Sequence, residues 1–236
     1  MCADVEAVFA AYPPAQKESA SCVTQVTGGT EQNREHRGCK TCIQQARDQM
    51  TQSTPIWLRR EHASAYRALM LEAYERHPDA FTSSVAERAA QPLAWWEARL
   101  VEDPQASDVV FGDFAEGGLN GVAGIALNSR ENVRHEATVF GMFVAAASRG
   151  TGLAAALLHA ALTEARARPE TSVVQLSVTK GNSAAERLYV RAGFESYGDE
   201  PIAVRTAAGF VTKVHMWRCL YQVVHQQGHR WTDLCL

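Results

Sequence analysis

From residue 54 onward, apolar and polar positions repeat with the periods of regular structure. The run Pro55-Ile-Trp-Leu-Arg59 reads as a strand. Residues 61–77 carry Ala65, Leu69 and Ala73 on one face, with Ala68 and Leu71 beside it, which predicts an amphipathic helix. Pro78 ends it. Ser84 followed by Glu87 has the spacing of a capping box. A second helical stretch then runs to about Glu102; it is interrupted near Pro92, carries Trp95 and Trp96, and is closed by Pro104.

Strands take over next. Residues 108–114 and 121–128 flank a turn-rich linker, Ala-Glu116-Gly-Gly-Leu-Asn120, which predicts an antiparallel hairpin. Residues 136–144 form a third strand of this run. A helix follows over about 150–168 and ends at Pro169. Residues 171–179 are a β-branched strand, 183–191 a short helix with Gly193 at its C-terminal cap, and 194–204 and 210–220 two closing strands. The expected fold class is α/β of mixed layout, with an antiparallel first half and one βαβ crossover. Strands 136–144 and 171–179 should therefore be parallel neighbours.

The first 53 residues have a different texture. Phe9 and Tyr12 are the only aromatic residues before residue 53, and 25–52 is rich in Gln, Thr and Arg. Too little apolar surface is available there to offset the entropy of ordering the chain. The expectation is a poorly structured extension over 1–53, with one short helix around 4–11 stopped by Pro13 and Pro14. The folded domain is expected at 54–221 and a tail at 222–236. Cys39 and Cys42 have Cys-x-x-Cys spacing, but no second pair completes a zinc site and no strand precedes them, so no metal or redox role is assigned. In the tail, His225, His229 and Cys235 fit no standard metal spacing.

The charge narrows the field. With 23 basic and 26 acidic residues in 236, the formal charge is −3, so no basic surface field suggests nucleic acid as a partner. No apolar run approaches the roughly 18 residues that span a bilayer. Asp4 and Glu6 lie where an export signal needs apolar residues. The expected location is cytoplasmic, with reduced cysteines and no membrane partner.

The most informative stretch is Met142-Phe-Val-Ala-Ala-Ala-Ser-Arg149-Gly150-Thr151-Gly152-Leu153-Ala154. An apolar strand runs into a glycine-containing turn that opens a helix. Free N–H groups at a helix start carry partial positive charge and bind phosphate. Gly150 and Gly152 let the backbone approach an anion, and Arg149 adds charge. The prediction is a phosphate or pyrophosphate cradle. A P-loop is excluded because Leu-Ala-Ala follows Gly152. A Rossmann fingerprint fits loosely as Gly150-x-Gly152-x-x-Ala155, but the strand that should end in an acid ends in Val178-Thr179-Lys180, and Glu170 sits before that strand. Downstream, Asn182 lies at the mouth of a strand and Tyr189 about two turns into the next helix. A phenol can donate a proton to a departing thiolate.

These two blocks resemble the GNAT superfamily of acyl-CoA-dependent N-acyltransferases. Arg149-Gly-Thr-Gly152-Leu-Ala154 fits its Arg/Gln-x-x-Gly-x-Gly/Ala signature. Asn182-x-x-Ala185-x-x-Leu188-Tyr189-x-x-x-Gly193-Phe194 fits its second block, one helix and one strand later. The strand Thr138-Val-Phe-Gly-Met-Phe-Val144 looks like the family's fourth, and the likeness covers about 55–221. The resemblance implies a central, mostly antiparallel twisted sheet of six to seven strands with about four helices. It implies acetyl-CoA as co-substrate, no metal, and a small-molecule or peptide amine as acceptor. Met142, Phe143 and Val144 would offer backbone groups to the pantetheine arm. Arg149, Gly150, Thr151, Gly152, Leu153 and Ala154 would hold the pyrophosphate, Asn182 would contact the arm or order its pocket, and Tyr189 would be the general acid.

The general base is left open. The family's carboxylate inside the fourth strand is missing here, and Glu136 stands eight residues from Val144, about 26 Å along an extended strand. Glu116, His135 and His215 are further candidates, and a water relay or a partly neutral amine would also serve. The family's Pro before the Arg-Gly turn is replaced by Ala145-Ala-Ala-Ser. The acceptor pocket should be built from the two early helices, the 108–128 hairpin and the last two strands, with Trp95, Trp96 and Trp217 as candidate lining. The oligomeric state, monomer or homodimer, stays open. The alternative functions are a non-catalytic acyl-CoA-binding or sensing module and a Rossmann-type nucleotide-binding protein.

Overall fold

The β-branched runs assemble into one sheet, seven strands among the described residues. The computed structural model describes residues 54–221 except 102, 104, 105, 116 and 117. The expected extension 1–53 with Cys39 and Cys42, the tail 222–236 with His225, His229 and Cys235, and Glu102, Pro104 and Glu116 lie outside the described residues. The strands are β1 (Ile56–Trp57), β2 (Asp108–Ala115), β3 (Gly118–Leu127), β4 (Glu136–Val144), β5 (Val173–Thr179), β6 (Glu195–Thr206) and β7 (Gly209–Cys219). Their order across the sheet is β1-β2-β3-β4-β5-β7-β6. β4 and β5 pair parallel, and the other neighbours pair antiparallel. This is the mixed, mostly antiparallel sheet expected from the sequence, with the crossover where the pattern put it.

Five α-helices are described: α1 (Ala63–Arg76), α2 (Val85–Ala89), α3 (Leu93–Glu97), α4 (Leu153–Ala167) and α5 (Ser183–Arg191). The helical stretch after Ser84 breaks near Pro92 as expected, because Pro92 has no N–H to continue α2 and instead stands at the N-cap of α3. The capping box at the start of α2 is present: Ser84 Oγ accepts from the Glu87 N–H at 3.2 Å, and Glu87 Oε2 accepts from the Ser84 N–H at 2.7 Å. The helix expected from residue 150 begins at Leu153, because Gly150 (φ +79) and Gly152 (φ +91) hold left-handed backbone that an α-helix cannot include.

Each face of the sheet buries its own core. Leu157, Leu158, Ala161 and Ala165 of α4, with Leu188 and Tyr189 of α5, pack on Val139, Met142, Val174, Leu176 and Val178. On the other face Tyr66, Leu69 and Met70 of α1 and Trp96 of α3 pack on Val110, Val122, Phe140 and Phe143.

The sheet opens at one place. β4 and β5 are paired only at Glu136↔Val173, Ala137↔Val174 and Thr138↔Gln175, while β5 continues along β7 as far as Thr179↔Lys213. The parting coincides with a bulge in β4. Val122 pairs with Phe143 and Gly124 with Phe140, so Gly141 and Met142 together face Ala123. Gly141 takes φ +59, a conformation that a side chain would strain. The extra residue puts Phe140 and Phe143 on the α1 face and Val139, Met142 and Val144 on the α4 face.

The start of α4 is seated closely on β3: a Cβ on Gly121 would lie 3.0 Å from Leu157 Cδ1 and 3.1 Å from Leu153 Cδ2. Leu157 is fully buried at this seat. Leu157→Ala is expected to lower the unfolding free energy by about 2–5 kcal/mol, read from urea denaturation. A loss below about 1 kcal/mol would mean that this contact does not hold the helix in place.

Candidate active site

The site residues gather where β4 leaves β5. The Ala145 N–H donates to the Asn120 carbonyl at 2.8 Å. In an antiparallel ladder the main-chain groups alternate sides. Phe143 therefore exchanges its bonds with Val122 of β3, and Val144 turns its N–H and C=O toward the opening. By this alternation the Phe143 main chain faces β3, and its ring lies on the α1 face. The Val144 carbonyl accepts from Arg149 Nε at 3.1 Å, which agrees with that orientation.

After β4 the chain makes a 3-10 turn (Ala146–Ser148) and reaches the exposed residues Gly150, Thr151 and Gly152. Thr151 Oγ1 donates to the Ser148 carbonyl at 2.8 Å and accepts from the Leu153 N–H at 3.4 Å, which holds the turn. Ala155 and Ala156 donate to the Gly152 carbonyl. Among the described residues, the N–H groups of Gly150, Thr151, Gly152 and Ala154 make no backbone hydrogen bond. A Cβ placed on Gly150 would meet nothing within 4 Å. The turn is thus a set of free main-chain donors at the positive end of a 15-residue helix, with open space beyond it.

The Arg149 side chain is turned inward rather than over this turn. Its Nη2 lies 3.3 Å from His77 Nε2, and its guanidinium stands 5.9 Å above the centre of the Phe143 ring. His77, at the C-terminal cap of α1, packs its own ring 6.0 Å from Phe143. Burial first, and the Arg149 charge second, push the His77 pKa below the ordinary 6.5. The sequence pattern gave no sign of this pair, because 72 residues separate its members.

Asn182 is buried and caps α5: its Oδ1 accepts from the Ala185 N–H at 3.3 Å. It thereby fixes the start of the helix that carries Tyr189. Tyr189 is fully buried, edge-on to Phe194 at 5.9 Å, and its hydroxyl donates to Met142 Sδ at 3.6 Å. Burial raises the phenol pKa well above its usual value, so the hydroxyl keeps its proton at neutral pH. A sulfur is a weak acceptor, so that proton is only loosely engaged.

The other candidates separate clearly. Glu136 sits opposite Val173 at the closed end of the β4–β5 pair and contacts His135 at 3.5 Å, so neither residue reaches the opening. His215 stands on β7 opposite Ser177 of β5, with Nε2 2.8 Å from Glu200 Oε2. Trp96 is sealed in the α1-side core against Tyr66, so it lines no pocket. Trp95 is half-buried under the guanidinium of Arg99 at 4.4 Å, and Trp217 stands opposite Gln175. Among the described residues, no group of three or more His, Cys, Asp or Glu is arranged to hold a metal, and no helix is long and apolar enough to cross a membrane.

Comparison with known proteins places this geometry in a family. The model of the Acetyltransferase (GNAT) family matches residues 48–194. A search of curated proteins gave no match. Among solved structures, an acetyltransferase of the GNAT family from Streptococcus pneumoniae is 22% identical, with a TM-score of 0.62 over 70% of this chain and 98% of that one. The protein yncA from Salmonella typhimurium, solved with its cofactor acetyl-CoA, is 22% identical, with a TM-score of 0.58 over 72% of this chain and 95% of that one. A ribosomal-protein-alanine N-acetyltransferase from Brucella melitensis is 22% identical, with a TM-score of 0.57 over 70% of this chain and 98% of that one. At these identities the structural likeness speaks for the fold, and the family match, which spans more than half of the sequence, speaks for descent. The chain belongs to the GNAT family of acetyltransferases.

Proposed function

We propose that the protein is an acetyl-CoA-dependent N-acetyltransferase that moves an acetyl group to a primary amine by direct attack, with Tyr189 as the general acid. The observation that carries this reading is the fully buried Tyr189 phenol, its hydroxyl 3.6 Å from Met142 Sδ on the α4 side of the opening. The acetyl-CoA in the yncA structure and the N-acetyltransferase relatives support the same reading. The folded unit 54–221 is the proposed catalytic domain.

The residues present fit the co-substrate. The open N–H groups of Gly150, Thr151, Gly152 and Ala154, with Leu153 beside them, suit a pyrophosphate, because Gly150 leaves the space that a Cβ would begin to fill. Arg149 stands at the head of the same turn, with its guanidinium directed to the Val144 carbonyl and to His77. The main-chain groups of Met142 and Val144 suit the amide-bearing pantetheine arm, and Asn182 keeps α5 in place beside it. Acetyl-CoA supplies the acetyl group as an activated thioester. Tyr189 would give its proton to the departing sulfur, and a neutral phenol does this without a charged group in the core. Holding the reactants in line, and donors aimed at the developing oxyanion, would supply the rest of the rate.

One observation favours a second reading. β4 has no carboxylate beyond Glu136, so a non-catalytic acyl-CoA-binding module would keep the turn and lack turnover. Measured thiol release from acetyl-CoA across a panel of primary amines separates the two. In that assay Tyr189→Phe is expected to lower kcat by about 10²-fold or more, while the acetyl-CoA dissociation constant and the urea midpoint stay near wild type. Undiminished turnover in this variant would remove Tyr189 from the chemistry.

The His77–Arg149 contact predicts a pH dependence of stability. His77 has its pKa lowered in the folded state, so as pH falls below the ordinary 6.5 the unfolded chain takes up this proton first. Stability gained from a neutral His77 is therefore present above 6.5 and declines toward pH 5. Urea midpoints measured between pH 5 and 8 should fall at the acidic end for the wild type and fall less for His77→Gln. Equal slopes would contradict the assignment.

A further inference from the structure

The opening between β4 and β5 has two faces. Met142 and Tyr189 lie on the α4 side. On β5, Val174, Leu176 and Val178 point into that same core, so Gln175, Ser177 and Thr179 point the other way. Thr179 shows it directly: its Oγ1 donates to the Asp79 carbonyl, just beyond α1. Gln175 is the last β5 residue on this face paired to β4, through Thr138. Ser177 is the next, and so lines the first open step of the gap. Its cross-strand partner on β7 is His215.

The surroundings of His215 suit a proton acceptor. Its Nε2 is 2.8 Å from Glu200 Oε2 on β6. A carboxylate can only accept, so Nε2 carries a proton, and in the neutral imidazole Nδ1 is then the acceptor. Tyr197, the bulged residue of β6, stacks its ring 5.9 Å from the imidazole and donates its hydroxyl to Gln175 Oε1 at 3.2 Å. This fixes the wall on the far side of the histidine. Among the described residues, other charged groups of this face are Lys213, two residues back on β7 and opposite Glu200, Glu195 of β6, opposite Trp217, and, at the end of α1, Asp79 beside Thr179 and His77 with Arg149. From β5 the neighbours are Ser177 and Gln175, which do not titrate in this range.

We propose that His215, oriented by Glu200, is the base that takes the proton from the attacking amine. The proposal rests on the transferase reading and extends it to the opposite face of the sheet. By the parallel register, Ser177 and His215 stand level with Phe140, and Met142 lies two residues further along, roughly 7 Å of rise. The amine nitrogen forms a bond to the acetyl carbon from the Ser177–His215 side. The carbon–sulfur bond breaks toward Tyr189. The extra proton on nitrogen passes to His215 Nδ1, the Tyr189 proton passes to the sulfur, and both side chains are reset by exchange with solvent. This arrangement replaces the missing carboxylate of β4 with a histidine and a carboxylate two and three strands away.

The test is thiol release from acetyl-CoA with the most active amine among a free amino acid, a polyamine, a lysine peptide and a peptide with an N-terminal alanine. His215→Ala should lower kcat/KM by about 10²-fold, leave acetyl-CoA affinity unchanged, and recover activity when imidazole is added to the buffer. Glu200→Gln should lower kcat by about tenfold and leave the KM for the amine near wild type, because a less firmly oriented imidazole still admits the amine. His215→Ala turnover within about threefold of wild type overturns the proposal and leaves Tyr189 standing. So does a loss in His215→Ala that imidazole does not rescue, together with an unchanged kcat in Glu200→Gln, since that pattern marks a structural role. A wild-type protein that binds acetyl-CoA and releases no thiol with any of these amines overturns the transferase reading and this base with it.

Discussion

The structure depends on one interruption in its hydrogen-bond ladder. Three residue pairs join β4 to β5, and then the parallel pairing stops. A sheet normally satisfies its main-chain groups along the full strand, because an unpaired buried amide is costly. Here the Val144 groups are turned to an opening instead, and the structure meets part of that need by bringing Arg149 Nε onto the Val144 carbonyl. The bulge at Gly141 and Met142 shifts the alternation of β4 by one residue at the same level. Everything placed at the site follows from that shift: the Met142 side chain goes to the Tyr189 side, and Phe143 goes to the His77 side.

Around the opening the chain assigns separate jobs to separate faces. The turn at 150–154 offers free amides at the start of α4, and α4 is seated by Leu153 and Leu157 against Gly121. α5 begins at an Asn182 cap and carries a buried phenol inward. On the other face α1 ends at His77, and β7 presents His215 beside Ser177. A group entering along the helix turn and one entering over β5 and β7 would meet at the gap from opposite sides. The histidines differ in the same sense. His77 is held neutral by burial and by Arg149, while His215 has a carboxylate partner.

Much of this was legible in the order of residues. The crossover, the seven strands and the glycine turn all follow from periodicity, and the two motif blocks identified the family. Element ends were less legible where local chemistry overrides pattern. The helical pattern after Pro92 runs to about residue 102, yet α3 ends at Glu97. The helix pattern reaches back to residue 150, yet the left-handed glycines delay α4 to Leu153. Gly141 was readable in principle, since a lone glycine inside a strand marks a bulge. The Arg149–His77 contact and the Ser177–His215 alignment were not, because each joins residues distant in sequence through a register that only the assembled sheet defines. Trp96 illustrates the converse: a large aromatic residue near a site is more often core, and this one is sealed against Tyr66.

The opening beside Val144 and the amide turn after it are proposed to form one binding track for a thioester carrier. Amide NMR of the isotopically labelled full chain, titrated with CoA to saturation, reads that track directly. Shifts are expected to concentrate at Gly150, Thr151, Gly152, Leu153 and Ala154 and at Val144, with Glu136 and Val173 at the closed end of the β4–β5 pair unmoved. Unchanged signals at the turn, or shifts confined to other strands, would contradict it.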